Sequence, residues 1–197
     1  SKSKVFKFIK RIKKKKFSAK LKLLSYSKNM GKGHAIKKGI FSSKSEWILT
    51  CDLDMSVLPE QYLIWCRRKL IKDINCAYIA SRKHKKSKIK SKFIRRRLGD
   101  IFRLVLLILF NIKISDTQCG FKVYHKNYIK YVYKRMKIAR YAHDVEVILI
   151  LQSKGIKIKE LPVKWKHQSG SKINIITDSF KMLLDLFILR LKLSLVK

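Results

Sequence analysis

The stretch Trp47-Ile48-Leu49-Thr50-Cys51-Asp52-Leu53-Asp54-Met55-Ser56 decides how this chain is read. Trp47 to Cys51 is a short apolar run of the kind that forms a buried strand, and it stops at two carboxylates, Asp52 and Asp54. Carboxylates two apart at a strand terminus can converge on one hard cation, and such a cation would bridge a diphosphate. In an open α/β sheet, ligands gather at the carboxyl ends of the strands, which is where this pair falls. Acidic residues also mark ordinary strand-to-loop exits, so the motif takes its meaning from its surroundings.

Around it, helical and strand-like segments alternate. Val5, Phe6, Ile9 and Ile12 stand at helical spacing within residues 3–15, and Lys20 to Tyr26 has β character. A loop from Lys28 to Gly31 leads into a helix around Ala35 to Phe41; a further helix is expected over Glu60 to Ile71 and a strand over Cys76 to Ala80. This order predicts an α/β fold with a largely parallel, doubly wound sheet. At 197 residues, 47% hydrophobic and 11% aromatic, the chain suits one well-buried domain. With 7 Gly, 2 Pro, no repeat and no linker-like block, collagenous and low-complexity readings have no support.

The formal charge of +37, from 49 Lys+Arg against 12 Asp+Glu, calls for an anionic partner, although a Lys- and Ile-rich composition also follows from coding bias. Nucleic acid and anionic lipid both qualify, and Tyr124, Tyr128, Tyr131 and Tyr133 interleaved with Lys would suit the former. The run Ile101 to Ile112 is apolar over about three helical turns and is bordered by Arg. A second element, Ile173 to Val196, mixes Phe180, Leu183, Leu184, Phe187, Ile188 and Leu191 with Lys181, Arg190 and Lys192. Both could simply cover the sheet; their basic borders favour the membrane interface. No stretch reaches ~18 uninterrupted apolar residues, so none is expected to span a bilayer. Cys51, Cys66, Cys76 and Cys119 form no CxxC pair and the histidines lack ligand spacing, which argues against structural zinc and for reduced thiols.

Six segments then fall in one order: Asn29-Met30-Gly31-Lys32-Gly33-His34-Ala35, Asp52-Leu53-Asp54-Met55-Ser56, Ala80-Ser81-Arg82, Asp116-Thr117-Gln118-Cys119-Gly120-Phe121-Lys122, His143-Asp144-Val145-Glu146, and Val163-Lys164-Trp165 through Gly170-Ser171-Lys172. Together they resemble the dolichyl-phosphate β-glucosyltransferases and related polyprenyl-phosphate glycosyltransferases of glycosyltransferase family 2. The resemblance covers nearly the whole chain. It implies a Rossmann-like GT-A fold over residues 1–172, followed by an amphipathic membrane-interface helix over 173–197. That family opens with a strand bearing a VxPxYNE-like motif and a second strand ending in DDGS; neither is present, so the chain is expected to lack the first strands.

The resemblance also implies roles. Asp52 and Asp54 would hold Mg²⁺ or Mn²⁺ against the donor diphosphate. Lys32, Gly33 and Arg82 would line the donor site with Asp52, Arg82 gripping a phosphate with its planar fork. Asp116 would face the acceptor as base or orienting group, and Asp54 would share in catalysis. Asp144 and Glu146, at an expected helix start where carboxylates are often only caps, are acceptor-site candidates with Ser171 and Lys172. The implied reaction is inverting transfer, with UDP-glucose favoured over GDP-mannose as donor and a dolichyl or polyprenyl phosphate as acceptor. The implied place is the cytoplasmic face of a membrane, endoplasmic reticulum or bacterial inner membrane. A basic nucleic-acid-binding protein and an inactive membrane scaffold are the rivals; the former leaves the Asp-Leu-Asp placement unexplained, and no nucleic acid is expected.

Overall fold

A computed structural model describes residues 22–90, 93–166 and 175–194. In chain order the elements are α1 (Lys32–Ser42), β1 (Trp47–Thr50), α2 (Glu60–Arg67), β2 (Cys76–Ser81), β3 (Lys88–Lys90), α3 (Phe93–Phe110), β4 (Lys122–His125), α4 (Lys126–Arg135), α5 (His143–Ser153), β5 (Lys157–Pro162), β6 (Lys164–Lys166) and α6 (Ile175–Ser194). The main sheet has the order β1-β4-β2-β5, and β3 pairs with β6 in a second, two-stranded sheet.

Strand direction places the site. β4 runs antiparallel to both neighbours, Thr50 facing Lys122 and Tyr78 facing Val123, whereas β2 and β5 run parallel from Cys76 opposite Lys157 to Ser81 opposite Pro162. β1, β2 and β5 therefore point the same way, as the expected mostly parallel sheet requires. Reversal of β4 brings its first residue, Lys122, to the edge where those three strands end. The loops after Thr50 and Ser81 thus share one rim with the segment that precedes Lys122.

Both faces of the sheet are covered. Every residue of β2 is buried, and its side chains alternate between faces. Ala77 packs with Ile40 of α1, Ile129 and Val132 of α4 and Leu151 of α5, while Ile79 meets Leu106 of α3, Ile148 of α5 and Leu186 of α6. On the opposite face Tyr78 and Ala80 pack with Trp65 of α2, Phe121 and Leu161. Trp65 is fully buried, stands edge-on to Phe121 at 5.2 Å between centroids and donates its indole N–H to the Pro162 carbonyl at 2.9 Å. Truncating such a residue to Ala costs about 3–5 kcal/mol.

Several expectations shift. Residues 22–26, within the expected strand Lys20 to Tyr26, form no strand. The Tyr26 ring instead packs against α1, beneath the Lys38 ammonium at 4.3 Å and beside His34. The expected helix to Ile71 stops at Arg67, because Lys69 turns left-handed (φ 51°) and the Leu70 N–H returns to the Trp65 carbonyl. The apolar run from Ile101 lies within α3, which Asn111 closes at φ 54° as the Ile112 N–H reaches back to Leu106. The expected helix over residues 3–15 lies outside the described residues. Among the described residues no helix is long and apolar enough to cross a membrane.

Candidate active site

Three cation–carboxylate pairs stand at the shared rim: Lys32 with Asp52, Arg82 with Asp116, and Lys122 with Asp144. Asp52 leaves the end of β1, and its Oδ1 lies 2.8 Å from Lys32 Nζ. Gly120 makes room for it, since a Cβ at that position would fall on the Asp52 carboxylate. Asp54 is exposed, and its two oxygens accept from the Ser56 N–H and hydroxyl, each at 2.9 Å, which fixes the turn beyond the strand.

Lys32 opens α1, and the backbone sets its position. Gly31 has φ 92°, where a Cβ would run into the Ala139 carbonyl oxygen. A Cβ on Gly33 would stand 2.7 Å from the His143 side chain. The start of α1 is therefore pressed onto the segment that leads into α5. Burial works to lower the Lys32 pKa, and Asp144 and Asp52 more than reverse it, so the ammonium stays charged.

Arg82 follows β2 and encloses Asp116. Its backbone N–H donates to Asp116 Oδ2 at 2.8 Å, its Nε to the same oxygen at 2.7 Å and its Nη2 to Oδ1 at 2.8 Å. The fork expected to reach a phosphate is thus engaged with a carboxylate. Burial pushes the Asp116 pKa up, but Arg82 outweighs it and holds the carboxyl below the usual range. Cys119 beside it is pushed up to about 12, mainly by burial, and remains an unreactive thiol.

Lys122, Glu160 and His143 were not singled out from sequence. Lys122 is 2% exposed, and its ammonium donates to the Thr117 carbonyl at 2.9 Å and to Asp144 Oδ1. Burial would raise the Asp144 pKa, and Lys122, His143 and Lys32 together hold it low. His143 has Nδ1 2.7 Å from the Arg140 carbonyl, which can only accept, so Nδ1 carries the proton. Among the described residues its buried Nε2 has no hydrogen-bond partner, and it lies 3.5 Å from Asp144 Oδ1. Burial, the largest influence, depresses its pKa.

Glu146 stands apart from the pairs. Its carboxylate accepts from the Lys137 and Ile138 N–H groups at 2.7 to 3.0 Å and so fixes the segment whose Ala139 carbonyl meets Gly31 and the His34 N–H. Glu160 of β5 does the same for the loop that carries Asp116, taking the Ser115 and Asp116 N–H groups at 3.0 and 3.1 Å. A lone acid within the basic strand Lys157–Pro162 was the signal for it. Ser171 and Lys172 lie outside the described residues.

Among the described residues, no group of three or more His, Cys, Asp or Glu is placed to hold a metal ion. Two carboxylates are few for a dedicated cation site, but Mg²⁺ commonly takes one or two carboxylates and completes its shell with phosphate oxygens and water. Each carboxylate already bonded to Lys32 or Ser56 keeps lone pairs to spare.

The architecture is the GT-A glycosyltransferase fold. It superposes with a TM-score of 0.53 on the crystal structure of glucosyl-3-phosphoglycerate synthase from Mycobacterium tuberculosis in complex with uridine diphosphate, at 10% identity over 79% of this chain and 53% of that one. In sequence, the chain is homologous to the dolichyl-phosphate beta-glucosyltransferases: it is 33% identical to that of Homo sapiens over 89% of this chain and 56% of the relative. It is 32% identical to one from Trichomonas vaginalis (83% and 51% covered) and 30% identical to that of Saccharomyces cerevisiae (86% and 54% covered). The chain spans about half the length of the curated relatives it matches. No family model matches it.

Proposed function

We propose that a protein carrying this chain transfers glucose from UDP-glucose to a dolichyl or other polyprenyl phosphate, by single displacement with inversion. The observation that carries the proposal is the set of three ion pairs at one rim, taken together with the likeness in sequence to dolichyl-phosphate beta-glucosyltransferases. A phosphate oxygen of the acceptor attacks C1 of glucose as the bond from C1 to the UDP oxygen breaks. Mg²⁺ or Mn²⁺, held by Asp52 and Asp54, would neutralise charge on the departing diphosphate. Lys32 adds a positive charge at the same place.

The acceptor needs little help from a base. A phosphate monoester has a second pKa of about 6 and is already an anionic nucleophile near neutral pH. Asp116, kept ionised by Arg82, is a poor proton acceptor and is better suited to holding Arg82 in place. Asp144 plays the matching part for Lys122 and Lys32, Glu146 acts through the segment beneath Lys32, and Ser171 and Lys172 are further candidates for the acceptor phosphate.

The lipid acceptor requires a membrane surface. Ile101, Leu104 and Ile108 on α3 and Phe180, Leu184, Phe187 and Leu191 on α6 are exposed at three- and four-residue spacing, while Leu106 and Leu186 anchor the same helices in the core. This supports docking of both helices at an anionic interface, and the place proposed for it is the cytoplasmic face of the endoplasmic reticulum or of a bacterial inner membrane. Residues 1–172 then serve as the catalytic part and 173–197 as the interfacial helix.

The test offers radiolabelled UDP-glucose, GDP-mannose and UDP-N-acetylglucosamine in parallel with dolichyl phosphate and Mn²⁺. An acid-labile glucolipid from UDP-glucose is expected. Product from GDP-mannose alone would replace the glucosyl assignment, and no product from any donor would remove the enzymatic one.

A further inference from the structure

Of the three ion pairs at the rim, one is open to exchange. Lys122 and Asp144 are both buried, and Asp116 is buried beneath Arg82, but the side chains of Lys32 and Asp52 are 27% and 39% exposed. A diphosphate and a cation arriving from solvent can reach this pair without opening the core. The backbone at both ends is fixed by close approaches, Gly31 and Gly33 against the entry to α5 and Gly120 against Asp52. What can move is the Lys32 side chain, a point charge on a flexible four-carbon stem.

We propose that Lys32 is an exchangeable counter-ion for Asp52: its ammonium neutralises the carboxylate until a divalent cation arrives with a diphosphate, and then transfers to a phosphate oxygen. The inference rests on reading Asp52 as a metal-binding carboxylate and adds that this carboxylate is guarded. An ammonium 2.8 Å from Asp52 Oδ1 repels a second cation approaching that group. A free metal ion must displace it without compensation. A metal ion accompanied by diphosphate brings the anion that gives the ammonium a new partner. Metal and nucleotide are then mutually dependent, and the dependence is reciprocal.

The experiment titrates the full chain with Mn²⁺, read by electron paramagnetic resonance of the free ion, with and without UDP. Wild type is compared with Lys32→Met, Lys32→Arg and Asp52→Asn. Without UDP, Lys32→Met is expected to bind Mn²⁺ more tightly than wild type, by up to about fivefold, because the competing pair is gone. The enhancement of Mn²⁺ binding by UDP should shrink in the same variant by a similar factor, while Lys32→Arg keeps weak metal binding without nucleotide. Damage to the fold would loosen Mn²⁺ rather than tighten it. The proposal is overturned if Lys32→Met binds Mn²⁺ no more tightly than wild type while Asp52→Asn abolishes binding, an outcome that leaves Asp52 as a ligand. If neither wild type nor Lys32→Met binds Mn²⁺ with UDP present, the metal reading of Asp52 falls and this proposal with it.

Discussion

Replacing Asp116 by Asn keeps the shape of the side chain and removes its charge. Arg82 directs three N–H groups at the Asp116 carboxylate, two of them from the guanidinium. An amide offers one oxygen to that fork and turns an NH₂ toward it, so one guanidinium bond becomes a clash of donors. Breaking a fully buried pair by removing one partner costs about 3–5 kcal/mol. The Arg82 side chain is 36% exposed, so water recovers part of this, and a loss of about 2 kcal/mol is expected. Urea titration followed by tryptophan fluorescence at pH 7 measures it. The sign of the pH dependence follows from the lowered Asp116 pKa. A carboxyl whose folded pKa lies below its unfolded value of about 3.9 contributes its full stabilisation above that value and loses it as pH falls through the folded pKa. The gap between wild type and Asp116→Asn should therefore be constant from about pH 8 to 5 and narrow on acidification below about pH 4. A gap under about 0.5 kcal/mol at pH 7, or one that fails to narrow in acid, would refute the reasoning. Turnover supplies a second reading, since loss of a general base costs about 10²- to 10⁴-fold and an orienting group should cost less.

Gly120→Ala should drive the Asp52 carboxylate out of position and reduce glucosyl transfer by about 10²-fold with the fold retained, checked by turnover beside circular dichroism. Glu146→Gln should cost about 1–2 kcal/mol and raise the donor KM more than it lowers kcat, because the segment under Gly31 and Lys32 loosens. Ile108→Glu combined with Phe187→Glu changes exposed side chains, so stability should move by less than about 0.5 kcal/mol per substitution while flotation with anionic vesicles is lost. Unchanged flotation would remove α3 and α6 from the membrane seat.

What could be read in advance was whatever local pattern determines. Trp47 to Thr50 and Cys76 to Ser81 are short, mostly apolar runs of the main sheet, and both are legible to within one residue of their ends. The carboxylates that matter lay within recognisable motifs. β4 was not read as a strand, because it begins with Lys122, and a buried lysine contradicts the apolar run Val123-Tyr124 until Asp144, 22 residues away, is seen to neutralise it. Glu146 is legible as a candidate and Glu160 as a lone acid in a basic strand, but their anchoring roles are not, because their partners are main-chain N–H groups of distant segments, which have no side-chain signature. The segment Lys20 to Tyr26 misled because its composition suits a strand, whereas a strand also needs a neighbour with which to pair.

The glutamate anchors have a consequence for how this scaffold can vary. Because Glu160 and Glu146 hold the Ser115 and Lys137 backbones by their amide N–H groups alone, the anchoring is indifferent to the side chains there. Proline, which has no N–H to give, would break the anchor at either position, whereas at exposed Lys137 the other side chains leave the bond to Glu146 intact. The two loops are thus open to new side chains without a change in the geometry of the charges beneath them.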